Sequence, residues 1–258
     1  MTVLKSVDIN CDMGEGFGPY TIGQDDEMLD VVTTSNLACG FHAGDFKIMA
    51  DICAKAKQKG VAVGAHPGYP DLWAFGRRHQ EFSQDELRQL LAYQIGAAWA
   101  MARSVGHRLT HVKAHGALGH LVADNEMAAQ ALIETIQKVD DTLILSTMAG
   151  VTLERLAESA GVAYVTEIYA DRAYLDSGRL VPRTQPGAVI HDADQAAARV
   201  MQMIEESAII TQSGKRIPVS IDTICVHGDT DGALQMAKKV RASLEQAGIA
   251  VKPYCQPE

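Results

Sequence analysis

Residues 36–45 read "NLACGFHAGD". The stretch opens as an apolar segment that suits a strand. It ends in Gly40, His42, Gly44 and Asp45, which suit neither a strand nor a helix interior. A second segment, "VAVGAHPGYPD" at 61–71, does the same. Short apolar strands that turn polar at their C-terminal ends point to a parallel α/β fold, where ligands bind beyond the carboxyl ends of the strands.

Working outward, strands are expected at 6–11, 35–39, 61–65, 109–113, 142–146, 162–168 and 223–226, with a last one at 249–254. Helical patterns lie between them. At 46–59, Ile48, Met49, Ile52, Cys53 and Ala56 share a face and Gly60 follows as a stop. At 83–105, Ser83 and Glu86 have capping-box spacing. A third pattern, 230–247, ends at Gly248, and further ones fall near 125–138, 152–160 and 192–206. Alternation along the whole chain, with no Gly/Ser/Pro-rich linker, predicts one parallel β/α domain over 1–258. Two inserts, 67–82 and 169–189, read as loops of functional size.

Side chains alternate along a strand, so Asp8, Asn10 and Asp12 face one way and Val7, Ile9 and Cys11 the other. A parallel strand buried on both faces should be apolar throughout. Three polar groups on one face therefore predict the wall of a cavity. The pattern recurs in His111, Lys113 and His115, in Glu167, Tyr169 and Asp171, and in Cys225, His227 and Asp229. If His42 and His66 point inward, Ala38, Gly40, Ala62 and Gly64 lie beside them, and these small residues are expected to leave room for a ligand.

Several residues have a plainer reading. Asp45 and Asp229 precede helical patterns and also suit N-caps. Gly14, Gly16 and Gly18 in "DMGEGFG" do not match G-x-G-x-x-G, and no P-loop motif occurs. "FGRR" at 75–78 fits either a solvated turn or a clamp for carboxylate or phosphate.

The net charge of −9, without a polybasic run, argues against nucleic acid. No apolar run approaches the ~20 residues of a membrane helix. The first residues, "MTVLKSVDINCD", lack the apolar core of a signal peptide. Five cysteines, at 11, 39, 53, 225 and 255, are odd in number and widely spaced, which predicts reduced thiols in a cytoplasmic protein.

The motifs "DINCDMGEGFG", "NLACGFHAGD", "GAHPGYPD", "FGRR", "YQIGA", "HVKAHGAL", "ADRAYLDSGRLVPR" and "DTICVHGD" resemble the LamB/YcsF family of lactam-utilisation proteins, from Asp8 to about Ala247. The resemblance implies a distorted seven-stranded β/α (TIM-like) barrel of glycoside hydrolase/deacetylase type. It also implies ATP-dependent opening of 5-oxo-L-proline to L-glutamate, with Mg²⁺ accompanying ATP, in a 5-oxoprolinase assembled with two partner subunits, B and C. Two motifs depart from the family pattern. "HVKPHGALYN" is replaced by "HVKAHGALGH", with Ala114, Gly119 and His120, and "HAGDP" ends in Phe46. A related lactam is therefore an open alternative.

Such a reaction needs a cation near the developing oxyanion, for which Lys113 is the first choice. It needs a general base, for which Asp12, His66 and His115 are candidates. Arg77, Arg172 and Arg183 are candidates to clamp a carboxylate. With His42 these complete the catalytic candidates; Asp8, Asn10, Glu15, Glu167, His227 and Asp229 join the arginines as substrate-binding candidates. Two other readings remain open. One is a stand-alone hydrolase or deacetylase with Zn²⁺ or Mn²⁺ on His42, His66, His115 and Asp12. The other is a non-catalytic lactam-binding subunit.

Overall fold

The structure is a computed structural model that describes residues 6–255. Its strands are β1 (Ser6–Met13), β2 (Thr34–Ala38), β3 (Ala62–His66), β4 (Leu109–Val112), β5 (Ile144–Met148), β6 (Tyr164–Tyr169), β7 (Ala208–Ile210), β8 (Arg216–Pro218), β9 (Thr223–Val226) and β10 (Ala250–Val251). Seven pair in parallel in the order β1-β2-β3-β4-β5-β6-β9, and β9 pairs back onto β1. That return contact closes a seven-stranded barrel, as expected. The predicted strand at 249–254 shrinks to the two residues of β10, which lie beside Ser6 and Val7 at the entry to β1.

The helices are α1 (Asp25–Met28), α2 (Phe46–Lys59), α3 (Gln84–Ser104), α4 (Gly116–Asp124), α5 (Glu126–Val139), α6 (Thr152–Ala160), α7 (Ala193–Glu206) and α8 (Ala233–Gln246). Asp45 caps α2 by accepting from the amides of Lys47 and Ile48. Its other oxygen accepts from Gly18, so its carboxylate is committed to local structure. Ser83 and Glu86 form the expected capping box at α3. Helix α4 was not foreseen. Gly119 disfavours a helix interior by about 1 kcal/mol, but Leu118, Val122 and Ala123 are buried and packing overrides propensity. The antiparallel β7–β8 hairpin was also unforeseen; it fills the path from α7 to β9.

The barrel's outer face is apolar, with Val7, Ile9 and Cys11 buried. Its interior is polar. Asp12, Asn36, Gly64 and His111 stand in register across β1 to β4. Asn10 pairs with Cys225 across the closing seam. Buried polar groups are tolerable only when they bond to one another, so the interior must be an interlocked network.

Two inserts cover the C-terminal end. In the first, Arg78 makes paired bonds to Asp71, whose carboxylate also caps the short turn Leu72–Ala74. Of the two arginines in "FGRR", Arg78 is therefore structural. The second insert is pinned by Arg172, which donates to the carbonyls of Val181 (2.6 Å) and Ala188 (3.3 Å). All five cysteines are buried and free. No helix among the described residues is long and apolar enough to cross a membrane.

Candidate active site

The interior is layered from the N-terminal end upward. At the bottom, Asp8 accepts from the hydroxyls of Thr33, Thr34 and Thr223. Burial pushes its carboxyl up to about 6, against the pull of those hydroxyls. Asp8 was expected to bind substrate. It lies beneath the cavity, and the structure gives it a supporting role instead. Asn10 is likewise one layer down, donating to Glu167 (2.9 Å) and Thr223 (2.7 Å).

Asn36 completes this layer. Its amide nitrogen donates to Asn10 and Asp12, both at 2.8 Å, and its oxygen lies 2.9 Å from His111 Nε2. Asn36 was missed because β2, unlike β1, carries polar residues on both faces: Thr34 and Asn36 on one, Ser35 on the other. The space expected beside Gly64 is taken by the His111 ring, since a Cβ there would lie 2.2 Å from it. Gly40 is exposed in a left-handed turn. The small residues of β2 and β3 therefore seat imidazoles and turns; they do not make the ligand pocket.

Lys113 forms the next layer. Its ammonium lies 2.8 Å from Glu167, 3.1 Å from Asp12, 3.3 Å from Asn10 Oδ1 and 3.1 Å from the Cys225 sulfur. Burial opposes its charge, but Asp12, Cys225 and Glu167 together hold it well above the usual lysine range. Burial also opposes ionisation of Asp12, yet His66 and Lys113 keep that carboxylate well below its ordinary value.

Beside Lys113 is a cluster of three histidines. His42 is fully buried and stacked on His115, with ring centroids 3.7 Å apart. His66 meets both edge-on. Glu15 Oε1 lies 3.5 Å from His42 Nε2 and 3.6 Å from His115 Nδ1. Burial pushes His42 and His115 well below the usual imidazole value and Glu15 well above the usual carboxyl value. Glycines hold the cluster tight: a Cβ on Gly68 would fall 2.5 Å from His42 Nδ1, and one on Gly76 2.7 Å from His42 Cβ.

Above these groups opens a cavity of about 760 Å³. Asp12, His66, Lys113, His115 and Glu167 reach it from below, and Arg77, Arg172, Arg183 and His227 from the walls. Arg77 pairs with Asp229, and Arg183 lies 4.0 Å from the same carboxylate. Asp229 caps no helix, because Gly232 precedes α8. His227 is fixed by Asp171 at 2.8 Å and stacks on Tyr169. Arg172 spends two donors on its own insert, leaving Arg77 and Arg183 as the freer cations. Glu15 and His42 stand behind His66 and His115, outside the lining. The glycine loop is no phosphate cradle. The amides of Gly14 and Gly18 already donate to Asp25 and Asp45.

Ala114, Gly119 and His120, three of the four departures from the family motif, line the cavity. Phe46 does not; it is exposed at the start of α2.

The fold and site together define a closed parallel β/α barrel with a cluster of buried ionisable side chains at its C-terminal mouth. The model of the LamB/YcsF family matches residues 7–258, and the chain belongs to that family. It is 51% identical over 248 residues to the A-type subunit of 5-oxoprolinase from Gluconobacter oxydans (strain 621H), covering 96% of this chain and 98% of that one. It is 48% identical over 252 residues to the protein of the same name from Rhodopseudomonas palustris (strain BisB18), covering 97% and 99%. Among solved structures, the lactam utilization protein from Thermus thermophilus superposes with a TM-score of 0.90 at 40% identity. That match covers 96% of this chain and all of the other.

Proposed function

We propose that this chain is the ring-opening subunit of an ATP-dependent 5-oxoprolinase, acting on 5-oxo-L-proline or a close lactam with partner subunits B and C. The observation that carries the reading is Lys113, held cationic between Asp12 and Glu167 at the cavity floor. The names of its relatives, at about half identity over nearly the whole chain, supply the substrate class.

A five-membered lactam is an unstrained amide with a poor leaving group. In the proposed reaction its oxygen attacks the γ-phosphorus of ATP, supplied with Mg²⁺ in the assembly, and ADP departs. Water adds to the carbon, the C–N bond breaks and the nitrogen takes a proton. The resulting acyl phosphate takes a second water and releases phosphate and L-glutamate. Lys113 faces the developing oxyanion, where a fixed cation in a water-poor site acts most strongly. Asp12 lines the cavity as a carboxylate and accepts the proton of the attacking water. Arg77 and Arg183 hold the substrate carboxylate, an arrangement for which arginine's fork is suited.

The test is co-purification with subunits B and C, followed by glutamate release with and without ATP. ATP-dependent release that is lost in Lys113→Ala and His66→Ala supports the reading. Release without ATP, or calorimetric binding of 5-oxoproline with no turnover in the full assembly, overturns it.

A further inference from the structure

Ring opening needs a proton donor, because an amine anion is too basic to leave unaided. Most groups at the cavity are already committed. Asp12 and Glu167 pair with the Lys113 ammonium, and despite burial these neighbours and Cys225 keep that ammonium from releasing its proton. The guanidinium groups of Arg77, Arg172 and Arg183 do not release theirs. His66 Nδ1 lies 2.6 Å from the carbonyl oxygen of Lys113, and its Nε2 faces His115 Nδ1 at 3.1 Å and Asp12 at 3.4 Å. His115 Nε2 lies 2.8 Å from the carbonyl oxygen of Phe75. Both rings therefore have both nitrogens engaged. Burial and Arg172 push His120 below the usual imidazole value. His79 is exposed, edge-on to Tyr69.

His227 differs from all of these. Its Nδ1 lies 2.9 and 2.8 Å from the two oxygens of Asp171. Asp171 is buried behind it. Burial opposes ionisation of Asp171, but His227, Arg183 and Arg172 together hold its carboxyl below the ordinary value. An ionised carboxylate only accepts, so Nδ1 carries a proton and Nε2 is the nitrogen left for chemistry. Nε2 makes no hydrogen bond within the described residues, and the ring lines the cavity. Tyr169 stacks on that ring with centroids 5.4 Å apart, and the Lys113 ammonium lies 5.5 Å from the centroid of the same tyrosine. A ring nitrogen of His227 also lies within 4.8 Å of an Asp12 oxygen. Cation, base and imidazole thus border one small volume, where a single reacting carbon fits.

We infer that His227 is the general acid that protonates the departing lactam nitrogen, with Asp171 as its positioning residue. The inference deepens the lactam reading and rests on it. As the tetrahedral carbon collapses, the electron pair of the C–N bond moves onto nitrogen, which takes the proton from Nε2. The imidazole left behind is neutral and still donates Nδ1–H to Asp171; solvent returns the proton before the next turnover. Imidazole suits this task because it holds and releases a proton near neutral pH. A buried carboxylate on Nδ1 fixes which nitrogen faces the substrate and stabilises the imidazolium. The charged and titratable groups around the ring are Asp171, Asp12 on β1, Asp229 beyond β9, His120 on α4 and, around Asp171, Arg172 and Arg183.

The experiment is steady-state glutamate release by the assembly with subunits B and C, using wild type, His227→Gln, His227→Ala and Asp171→Asn. In His227→Gln, kcat should fall at least about 100-fold with KM changed less than about threefold. Imidazole added to His227→Ala should raise its rate at least about tenfold, by supplying the missing acid. Asp171→Asn should move the alkaline limb of kcat at least about one pH unit toward acid, because the imidazolium has lost its counter-charge. A packing role for His227 would produce neither the rescue nor the shift. If the His227 variants fail to fold, the Asp171→Asn profile decides. With an active wild type, retained kcat in His227→Gln, absence of rescue, or an unmoved limb in Asp171→Asn overturns this inference alone. No ATP-dependent glutamate from the wild-type assembly overturns the lactam reading and this inference with it.

Discussion

His111 lies against Gly64, so close that a Cβ on the glycine would fall 2.2 Å from the imidazole. Neither partner has slack, because His111 Nε2 is tied to Asn36 and its Nδ1 contacts Thr110. Overpacking a rigid interior costs about 1–3 kcal/mol. Gly64→Ala is therefore expected to lower stability by at least that much in urea unfolding. His111→Ala in the same chain should return part of the loss, giving a coupling of about 0.5 kcal/mol or more. Wild-type stability in Gly64→Ala would refute the contact.

Lys113 serves two buried carboxylates, Asp12 and Glu167. Removing one member of a buried ion pair costs about 3–5 kcal/mol. Lys113→Met should destabilise the chain by that order, and Lys113→Met with Glu167→Gln should be more stable than Lys113→Met alone. Equal stability of the two in urea would mean that Glu167 does not need the ammonium.

Arg183 is half-buried at the cavity wall, with a single long contact to Asp229. If it holds the substrate carboxylate, Arg183→Met should raise KM at least about tenfold, with kcat changed much less, because the contact is the same in ground and transition states. A lowered kcat at constant KM in the reconstituted assembly would place Arg183 in the chemistry instead.

The folded chain keeps the Asp8 proton up to about pH 6, against an ordinary value of 3.8, because burial disfavours the carboxylate. The stability contributed by this group is full below 3.8 and is lost as pH rises through 6. Asp8→Asn cannot ionise, and Thr223 can turn its hydroxyl to accept. Its unfolding midpoint relative to wild type should therefore climb between about pH 4 and 7, values that bracket this shift. A constant difference across that range would show that Asp8 is already ionised in the fold.

Much of this protein was legible without coordinates, for local reasons. The alternation of Asp8, Asn10 and Asp12 with Val7, Ile9 and Cys11 follows from the two-residue period of a strand. The helix at 46–59 follows from its apolar face and its caps, Asp45 and Gly60. These features depend on residues a few positions apart, so the chain itself carries them. Ordinary propensity misread α4, where buried Leu118 and Val122 outweigh the interior Gly119.

The centre is different. Whether Asp12 meets Lys113, 101 residues away, depends on strand register across a closed barrel. So does the approach of Glu15 to His42, and so does the filling of the Gly64 space by His111 instead of a ligand. No local pattern encodes register, because it is settled by how seven strands and their covering helices pack at once. The sequence by itself determined a parallel barrel with polar strand ends. Only the tertiary structure decided which of those polar groups touch, because their partners lie on other strands.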